Sequence, residues 1–349
     1  MSMDTNTHCH HCEHEKTPFF KNKVFLITVV LGLIILSSYW VSLLVPFRDA
    51  LLMYTGKIWW AIVLGLVIGG VIEHLVPHQY ITVLLAQRKK RSILHAVLLG
   101  FLMSVCNHGI LALSMQLYKK GASSSAVVAF LLASPWANLP LTILLVGFFG
   151  LIKGLYIILI AIVIAITTGL IFQWLETKHW VEQNPHVMEI DENFSISQDI
   201  RRRWSHYQFS WTQTQKDMHA IWNGMLSLSD MVLWWIILGM ALASLAGAYI
   251  PENIFEDYMG PNFLGMLVTL GVATVIEVCS EGTAPLAFEV FQKTGALGNS
   301  FVFLMAGVVT DYTEIGLLWQ NVGYRTALWL PMITVPQVLF WGYLANIIF

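Results

Sequence analysis

Residues 154–175 read GLYIILIAIVIAITTGLIFQWL and contain no charged side chain. A helix needs about 20 predominantly apolar residues to cross the roughly 30 Å hydrocarbon core of a bilayer, so this stretch is long enough to span a membrane. The composition agrees, because 56% of the 349 residues are hydrophobic and 11% are charged, whereas about a quarter of a soluble domain is charged. The sequence therefore predicts an all-α polytopic membrane protein, and it carries no nucleic-acid-binding signature.

Further apolar segments on both sides of this stretch divide the chain. We predict membrane segments at 24–45, 58–76, 93–117, 122–150, 154–175, 229–249, 262–291, 296–320 and 326–348. The predicted organisation is a Cys/His-rich metal-binding tail with a basic flank (1–23), an extra N-terminal transmembrane helix (24–45), a first membrane repeat (46–175), a polar cytoplasmic linker (176–228) and a second membrane repeat (229–349). We expect no cleavable signal peptide, because the first apolar run lacks a small-residue cleavage site.

The repeats are predicted from two similar segments. SVCNHGILALSMQLYKKGASSSAVVAFLLASPWANLP (104–140) and EVCSEGTAPLAFEVFQKTGALGNSFVFLMAGVVTDYT (277–313) share residues at a constant offset of 173, among them Cys106 with Cys279 and Gly109 with Gly282. Apolar segments often resemble one another by chance, but matched cysteines and glycines are much rarer. Internal repeats with interrupted helices are typical of secondary transporters.

The positions of the lysines and arginines favour an inverted arrangement of the two repeats. If all nine segments cross the membrane, the two sides carry nearly equal numbers of these residues. If 93–117 and 262–291 instead enter and leave on the same side, 15 of the 19 fall on the side of the N-terminus, as the positive-inside rule expects of cytoplasmic segments. We therefore predict broken or re-entrant helices that carry the cysteine motifs, in a bacterial inner membrane with a cytoplasmic N-terminus.

Each cysteine motif places polar side chains at a depth where charge is costly. Thiolate and imidazole suit zinc, cadmium, mercury, copper(I) or trivalent arsenic, and a carboxylate adds charge for a cation or carries a proton. The alternative for a buried cysteine is a small hydrophobic residue without a chemical role. The predicted substrate-binding residues are Cys106, Asn107, His108, Gly109, Pro135, Asn138, Cys279, Ser280, Glu281 and Gly282.

A second pair of polar positions follows the motifs. The 173-residue offset places Asn138 opposite Asp311. Burial can raise the pKa of a carboxyl group toward neutrality, so Glu277, Asp311 and Glu314 are the candidates for proton coupling. The alternative for Asp311 and Glu314 is that they cap a helix or lie at the water interface. Glu289 is interpreted as a solvated helix end.

The N-terminal tail contains HCHHCEHE at residues 8–15. A Cys-x-x-Cys pair with neighbouring histidines is a strong spacing for zinc or a softer metal. The segment has no apolar residues with which to fold alone, so we predict a flexible metal-capturing arm, with a neutral polar tail as the alternative. Its candidate ligands are His8, Cys9, His10, His11, Cys12 and His14.

The motif blocks CNHGILALSMQLYKKGASSSAVVAFLLASPWANLP and EVCSEGTAPLAF resemble the predicted-permease family that includes the ArsP-type organoarsenical exporters, and the resemblance covers most of residues 58–348. It implies an inner-membrane permease of about eight spans that exports toxic metal(loid) species. The motif match carries functional positions to Cys106, Gly109, Pro135, Asn138, Cys279, Ser280 and Glu281. Asn107 and His108 stand where arsenical-exporting members tend to have a second cysteine, which favours a borderline divalent cation.

The predicted function is therefore export of a heavy-metal cation (zinc, cadmium, cobalt or mercury) or a trivalent (organo)arsenical, by proton-coupled secondary transport and without enzymatic activity. The expected partners are this cargo and the bilayer, with no tightly bound cofactor, and a homodimer is left open. One alternative is a metal-responsive membrane sensor or partner subunit. The other is a membrane thiol enzyme with Cys279 as its nucleophile.

Overall fold

The described part of the chain is helical. A computed structural model describes residues 23–75, 91–103, 107–185, 210–276 and 279–349, and no strand occurs within these ranges. A short 3₁₀ turn, Ser42–Leu44, precedes the second helix. The helices are α1 Lys23–Ser37, α2 Val45–Leu75, α3 Arg91–Leu102, α4 Asn107–Lys119, α5 Ser124–Ala137, α6 Leu139–Phe149, α7 Leu151–Thr177, α8 Trp211–Tyr249, α9 Glu252–Met259, α10 Phe263–Ile276, α11 Ser280–Thr294, α12 Leu297–Val309, α13 Tyr312–Asn321 and α14 Tyr324–Ile348.

Several of these helices can cross a membrane. By length and composition, the described residues provide five apolar spans, formed by α2, α7, α8, the α12–α13 segment and α14. The number rises to seven if two bent pairs count as one span each: α5 with α6, bent by 40°, and α9 with α10, bent by 108°. Together with the composition, this confirms an all-α, multi-pass membrane protein.

Three helix boundaries differ from the sequence prediction by more than three residues. Helix α1 ends at Ser37, and its 15 residues rise about 22 Å, less than the hydrocarbon core. Helix α2 begins at Val45, 13 residues before the predicted start at 58. Helix α8 begins at Trp211, inside the predicted linker. Polar composition concealed that helix, although Met218, Ile221 and Met225 recur at helical spacing.

Helices α2 and α8 form a long antiparallel pair. Gly70 near the end of α2 lies against α8, where a Cβ atom would sit 2.8 Å from the carbonyl oxygen of Ile221. At the other end of the pair, the Tyr249 hydroxyl donates a hydrogen bond to the carbonyl oxygen of Leu43 (2.8 Å). The missing side chain of Gly70 thus lets the two backbones approach closely, as small residues do where membrane helices pack.

The hairpin of α3 and α4 opens toward one face of the molecule, which we call the linker face (residues 118–125, 176–185 and 323–326). The Asn184 side chain donates hydrogen bonds to the carbonyl oxygens of Tyr118 (2.5 Å) and Ala122 (2.7 Å) at the end of α4. Near its start, α3 packs Ile93 against Gly169 in the last third of α7. Helix α3 therefore runs inward from the linker face, and α4 returns to it.

The hairpin of α10 and α11 opens toward the opposite face, defined by residues 252–262, 295–299 and 341–349. The Asn299 side chain, just after α11, donates hydrogen bonds to the carbonyl oxygens of Met259 (2.7 Å) and Gly260 (2.9 Å), just before α10. Asn346, at the end of α14, accepts a hydrogen bond from the Gly298 amide (2.6 Å). Because α14 starts at the linker face, its end marks the other face.

Loop 178–185 fastens α14 to the linker face. The carboxylate of Glu182 accepts hydrogen bonds from the backbone amides of Arg325 (3.0 Å) and Thr326 (2.9 Å), while Arg325 also donates to the carbonyl oxygen of His179 (3.3 Å). An arrangement in which all nine predicted segments cross would separate Arg325 from Lys178 by the whole bilayer. These contacts are incompatible with that arrangement.

Matched positions of the two halves share local backbone geometry. Asn138 and Asp311 lie 173 residues apart, and the side chain of each accepts a hydrogen bond from an amide in the first turn of the helix that follows. Gly150 and Gly323, at the same offset, precede α7 and α14 with φ of 82° and 146°. These φ and ψ values belong to a region that essentially only glycine adopts.

The Glu182 contacts predict a pH-dependent stability. Burial acts to raise the pKa of Glu182, but the hydrogen bonds from Arg325 and Thr326 outweigh it, and the pKa is lowered from 4.5. A lowered folded-state pKa gives stability that is present above the unfolded-state value and is lost as the pH falls through the folded-state value. Glu182→Gln should therefore lower the melting temperature at pH 7, with a difference from wild type that shrinks below about pH 4.

Thermal unfolding of the detergent-solubilised protein across this pH range measures the effect. The control is Glu256→Gln, which changes an exposed acid on α9 and should leave the melting temperature nearly unchanged. A Glu182→Gln difference that stays constant down to pH 3 would contradict the assignment.

Candidate functional site

Helix α11 begins in the protein interior with a cluster of polar side chains. Cys279, Ser280 and Glu281 expose 3%, 2% and 3% of their surface. The Cys279 thiol donates a hydrogen bond to Oε2 of Glu281 (2.6 Å), and the Ser280 hydroxyl donates to the same oxygen (3.0 Å). The carboxylate lies in the first turn of α11, where unpaired amides and the helix dipole favour negative charge.

Asn138 occupies another helix break, between α5 and α6. Its Oδ1 accepts a hydrogen bond from the amide of Leu141 (2.7 Å), which caps α6, and its Nδ2 donates to the carbonyl oxygen of Ser134 (3.0 Å). The same Nδ2 lies 3.5 Å from Oε1 of Glu281, at the outer limit for a hydrogen bond. The break after α5 and the start of α11 therefore meet through an amide and a carboxylate.

Prolines lie close to the helix breaks at Asn138 and Cys279. Pro135 lies within α5 and Pro285 within α11. A proline in a helix has no amide hydrogen to donate to the residue four positions earlier, so the carbonyl group of Glu281 has no helical partner at Pro285. Non-helical backbone at membrane depth occurs where it is buried in protein or lines a cavity, and both conditions apply to this region.

A small cavity joins Asn138 and Glu281. Its volume is about 20 Å³, enough for about one water molecule. Among the described residues of its lining, these two are the only polar ones, and the others are Ala61, Ile62, Gly65, Leu66, Pro140, Leu144, Leu228, Val232, Leu233 and Ile236 from α2, α6 and α8. The polar pair thus lies in a narrow, mostly apolar cavity against the α2–α8 pair.

Gly282 has a packing role in this structure. A Cβ atom on Gly239 of α8 would collide with the carbonyl group of Gly282. The α8 backbone therefore lies directly on the start of α11, one residue after Glu281. This contact fixes the depth at which the carboxylate is held.

Two predicted proton-coupling residues lie in the equivalent region of the second half. Asp311 is 5% exposed, and its Oδ1 accepts hydrogen bonds from the amides of Thr313 (2.6 Å) and Glu314 (3.3 Å). Asp311 thus caps α13, as the alternative interpretation expected. Glu314, in the first turn of α13, is 1% exposed, so it does not lie at a water interface.

Glu289 was wrongly interpreted as a solvated helix end. It is 4% exposed, and the Tyr54 hydroxyl from α2 donates a hydrogen bond to its Oε2. Its other oxygen lies against Gly247 of α8, where a Cβ atom would collide with the carboxylate. The polar neighbours Gln292 and Lys293 suggested solvent, but partners distant in sequence bury this residue.

The other predicted ligands are only partly covered by the structure. Asn107, His108 and Gly109 begin α4, and their side chains are outside its description. Cys106, Glu277 and the tail residues His8, Cys9, His10, His11, Cys12 and His14 lie outside the described residues, and their roles stay predictions. Within the described ranges, no three His, Cys, Asp or Glu side chains converge in a way that could hold a metal ion.

Comparison with known proteins points to transport. The model of a family described as predicted permeases matches residues 46–347. The protein YcgR of Bacillus subtilis is 23% identical over 259 residues, covering 73% of this chain and 81% of YcgR. A Streptococcus mutans protein, provisionally named a two-component membrane permease complex subunit, is 20% identical over 259 residues, covering 74% of this chain and 80% of that protein.

A Mycobacterium tuberculosis protein, provisionally named a permease, is 23% identical over 296 residues, covering 79% of this chain and 70% of that protein. No solved structure gives a significant match.

The Gly239–Gly282 contact generates a prediction about Cys279. Gly239→Ala should force α8 away from α11, lower the stability by about 1–3 kcal/mol, and speed alkylation of the buried Cys279 thiol. The measurement is maleimide labelling of a variant in which the other three cysteines are serine. Gly271→Ala is the matched control, because a Cβ atom there meets no neighbour within 4 Å. Equal labelling rates in the two variants would contradict the contact.

Proposed function

This chain belongs to the family of predicted permeases, and on that premise we propose that it exports a toxic metal(loid) species from the cytoplasm by proton-coupled secondary transport. The observation that carries the proposal is the buried cluster of Cys279, Glu281 and Asn138 at the meeting point of two helix breaks. The thiol supplies a soft sulfur donor, and the carboxylate beside it can accept the thiol proton.

We further propose that the two halves are inverted repeats. The shared caps at Asn138 and Asp311 and the shared turns at Gly150 and Gly323 support a duplication. Hairpins that enter from opposite faces support the inversion. In transporters of this architecture, substrate sites lie near the middle of the bilayer where discontinuous helices from the two repeats meet, as the breaks at Asn138 and Cys279 do here.

The Cys279–Glu281 hydrogen bond suggests how cargo and proton exchange. A soft metal(loid) species binds a thiolate, so the S–H bond of Cys279 must break when a sulfur–cargo bond forms. Glu281 accepts this hydrogen bond at 2.6 Å, and its carboxylate takes the proton as cargo binds. Glu281 then releases this proton on the cytoplasmic side, and a proton taken up from the opposite side later returns to the sulfur, so that the sulfur–cargo bond breaks and the cargo leaves there. Each bound cargo therefore displaces at least one proton.

The remaining predicted ligands complete the proposed site. The 173-residue offset makes His108 the counterpart of Glu281, and Cys106 the counterpart of Cys279. We propose that the first half supplies these two side chains as ligands and that Asp311 and Glu314 relay protons in the second half. The cargo is a heavy-metal cation of the zinc, cadmium, cobalt or mercury kind, or a trivalent (organo)arsenical.

The proposed direction of transport rests on the distribution of lysine and arginine between the two faces. Lys119, Lys120, Lys178 and Arg325 belong to the linker face or its immediate flank, which the positive-inside rule assigns to the cytoplasm of a bacterial inner membrane. The N-terminal tail, with its three lysines at positions 16, 21 and 23, is assigned to the same side. Its histidines and Cys9 and Cys12 would then capture cargo ahead of export.

A second candidate function is that of a partner subunit. It is favoured by the name of the Streptococcus mutans relative, a two-component membrane permease complex subunit. A metal-responsive sensor is a variant of the same idea. Deletion of residues 1–16 separates these functions, since an exporter should keep residual transport without the tail, whereas a sensor should lose its metal response.

The decisive prediction concerns transport into inside-out membrane vesicles energised by a proton gradient. We expect accumulation of at least one of Zn²⁺, Cd²⁺, Co²⁺, Hg²⁺, arsenite and trivalent methylarsenic. Cys279→Ser and Glu281→Gln should each lower the initial rate about tenfold or more, because about 1.4 kcal/mol of lost cargo stabilisation already has that effect.

The matched control makes the same Cys→Ser change at Cys9 and Cys12 in the tail, where residual transport should persist. Failure of the wild-type protein to accumulate any of these species would refute the proposed export function. Full transport by Cys279→Ser would remove this thiol from the site.

A further inference from the structure

A second buried carboxylate lies on α11, two turns beyond Glu281. Glu289 is almost wholly enclosed by the described residues, with 4% of its surface exposed. No lysine or arginine nitrogen lies within 4.0 Å of it among the described residues, where the only salt bridge joins Arg48 and Asp49. Its hydrogen-bond donor is the Tyr54 hydroxyl. An ionised carboxylate in such a place has lost most of its hydration and gained little in return.

Apolar and aromatic groups surround this carboxylate. The neighbouring Phe288 ring packs against the rings of Tyr54, Phe148 and Phe149 at centroid distances of 6.2, 5.1 and 5.5 Å. Gly247 gives the carboxylate its space, because any larger residue there would occupy the position of Oε1. Gly247 on α8 thus leaves space for the Glu289 side chain, and Tyr54 on α2 donates a hydrogen bond to it.

A cavity connects Glu289 with the face opposite the linker. Its volume is about 340 Å³, and Glu289 is the only carboxyl group that the described residues contribute to its lining. The remaining lining residues are Ala246, Ile250, Ile254, Phe255, Tyr258, Met259, Val268, Val272, Ile276, Leu286, Val290 and Phe303. Several of them, among them Ile254 and Tyr258, are exposed, so the cavity leads outward between α9 and α10.

From this geometry we propose that Glu289, assisted by Tyr54, is a proton-exchange site of the transporter, reached from the face opposite the linker. A carboxylate with one hydroxyl donor offers too few ligands for a metal ion, and no three potential metal ligands converge anywhere in the described residues. A proton needs only the one carboxylate. Binding it removes the buried charge, and releasing it restores the acceptor to which the Tyr54 hydroxyl donates.

Other titratable groups face this region from the neighbouring elements. The Lys57 ammonium of α2 lies 4.2 Å from the Phe288 ring centre, and the Lys153 ammonium of α7 lies 4.3 Å from that of Phe291. Lys293 follows on α11 itself, and Tyr258 of α9 lines the cavity. Among the described residues, none of these lysines forms an ion pair with the Glu289 carboxylate.

The role in transport rests on the proposed function, but proton binding does not. The first test is therefore independent of cargo: infrared pH titration of the purified, reconstituted full-length protein, following the carbonyl stretch of buried protonated carboxyl groups. We expect a titrating band that is absent from Glu289→Gln and retained in Glu281→Gln. In Tyr54→Phe the midpoint should move upward by about one pH unit, because a donor to the ionised form is lost.

Tyr249→Phe is the matched control, since that hydroxyl donates to the backbone carbonyl of Leu43 instead and its loss should leave the midpoint unchanged. A Glu289→Gln spectrum identical to that of wild type would overturn the proposal. An unshifted midpoint in Tyr54→Phe would also overturn the proposal. This second variant keeps the test available if Glu289→Gln fails to fold.

The second test uses the vesicles and whichever of the named metal(loid) probes the wild-type protein carries. Glu289→Gln should lose proton-driven accumulation about tenfold while retaining cargo-for-cargo exchange. Loss of both activities by a folded variant, or of neither, would overturn the coupling role. Failure of the wild type itself would count against the export function and leave the infrared result to decide proton binding.

Discussion

The structure depends on burying the Glu281 carboxylate far from water, which costs several kcal/mol if nothing compensates. Compensation is local: the Cys279 thiol and the Ser280 hydroxyl donate to one oxygen, and α11 begins at the same place, so that its unpaired amides are close by. A helix that ran through this point would have no such amides. The chain must therefore break before Glu281, and a hairpin that reaches into the protein and returns to the same face is the consequence.

Much of this could be predicted from the sequence, because it rests on composition and short-range pattern. Long apolar runs set the spans, the distribution of lysine and arginine favoured hairpins over full crossings, and the 173-residue offset singled out Asn138 and Asp311 before any cap was visible. Glu289 shows where such reasoning ends. Its burial depends on Tyr54, 235 residues earlier, and on the missing side chain at Gly247. Neither can be recognised from the residues that flank Glu289 in the sequence. The early start of α8 was missed for another reason, since polar composition outweighed a helical period.

The two acids of α11 differ in what the protein offers to their ionised forms. Glu281 has a thiol, a hydroxyl, an amide 3.5 Å away and the first turn of a helix, whereas Glu289 has one phenolic hydroxyl in an aromatic setting. Carboxyl groups whose environments differ in this way take different roles in acid–base chemistry. In the proposed mechanism Glu281 exchanges a proton with a cargo-binding thiol, and Glu289 exchanges one with the outside. Both lie on α11, which loses one helical hydrogen bond between them at Pro285.

The tightness of the contacts indicates where such a displacement can occur. Along α8, Gly239 meets Gly282 and Gly247 meets Glu289, so α11 is held at two places separated by about 11–12 Å of helix. Both contacts depend on an absent side chain and bring backbone or carboxylate into direct touch, and close-packed contacts of this kind do not deform gradually. By contrast, the Nδ2 of Asn138 reaches Glu281 only at 3.5 Å, and these two residues line a cavity of about 20 Å³ that also borders α2 and α8. Helices α2, α8 and α11 therefore form the stiffer unit, and the contact between Asn138 and Glu281 is the looser one; in the proposed mechanism, the helix break at Asn138 moves away from α11 there when the cargo enters.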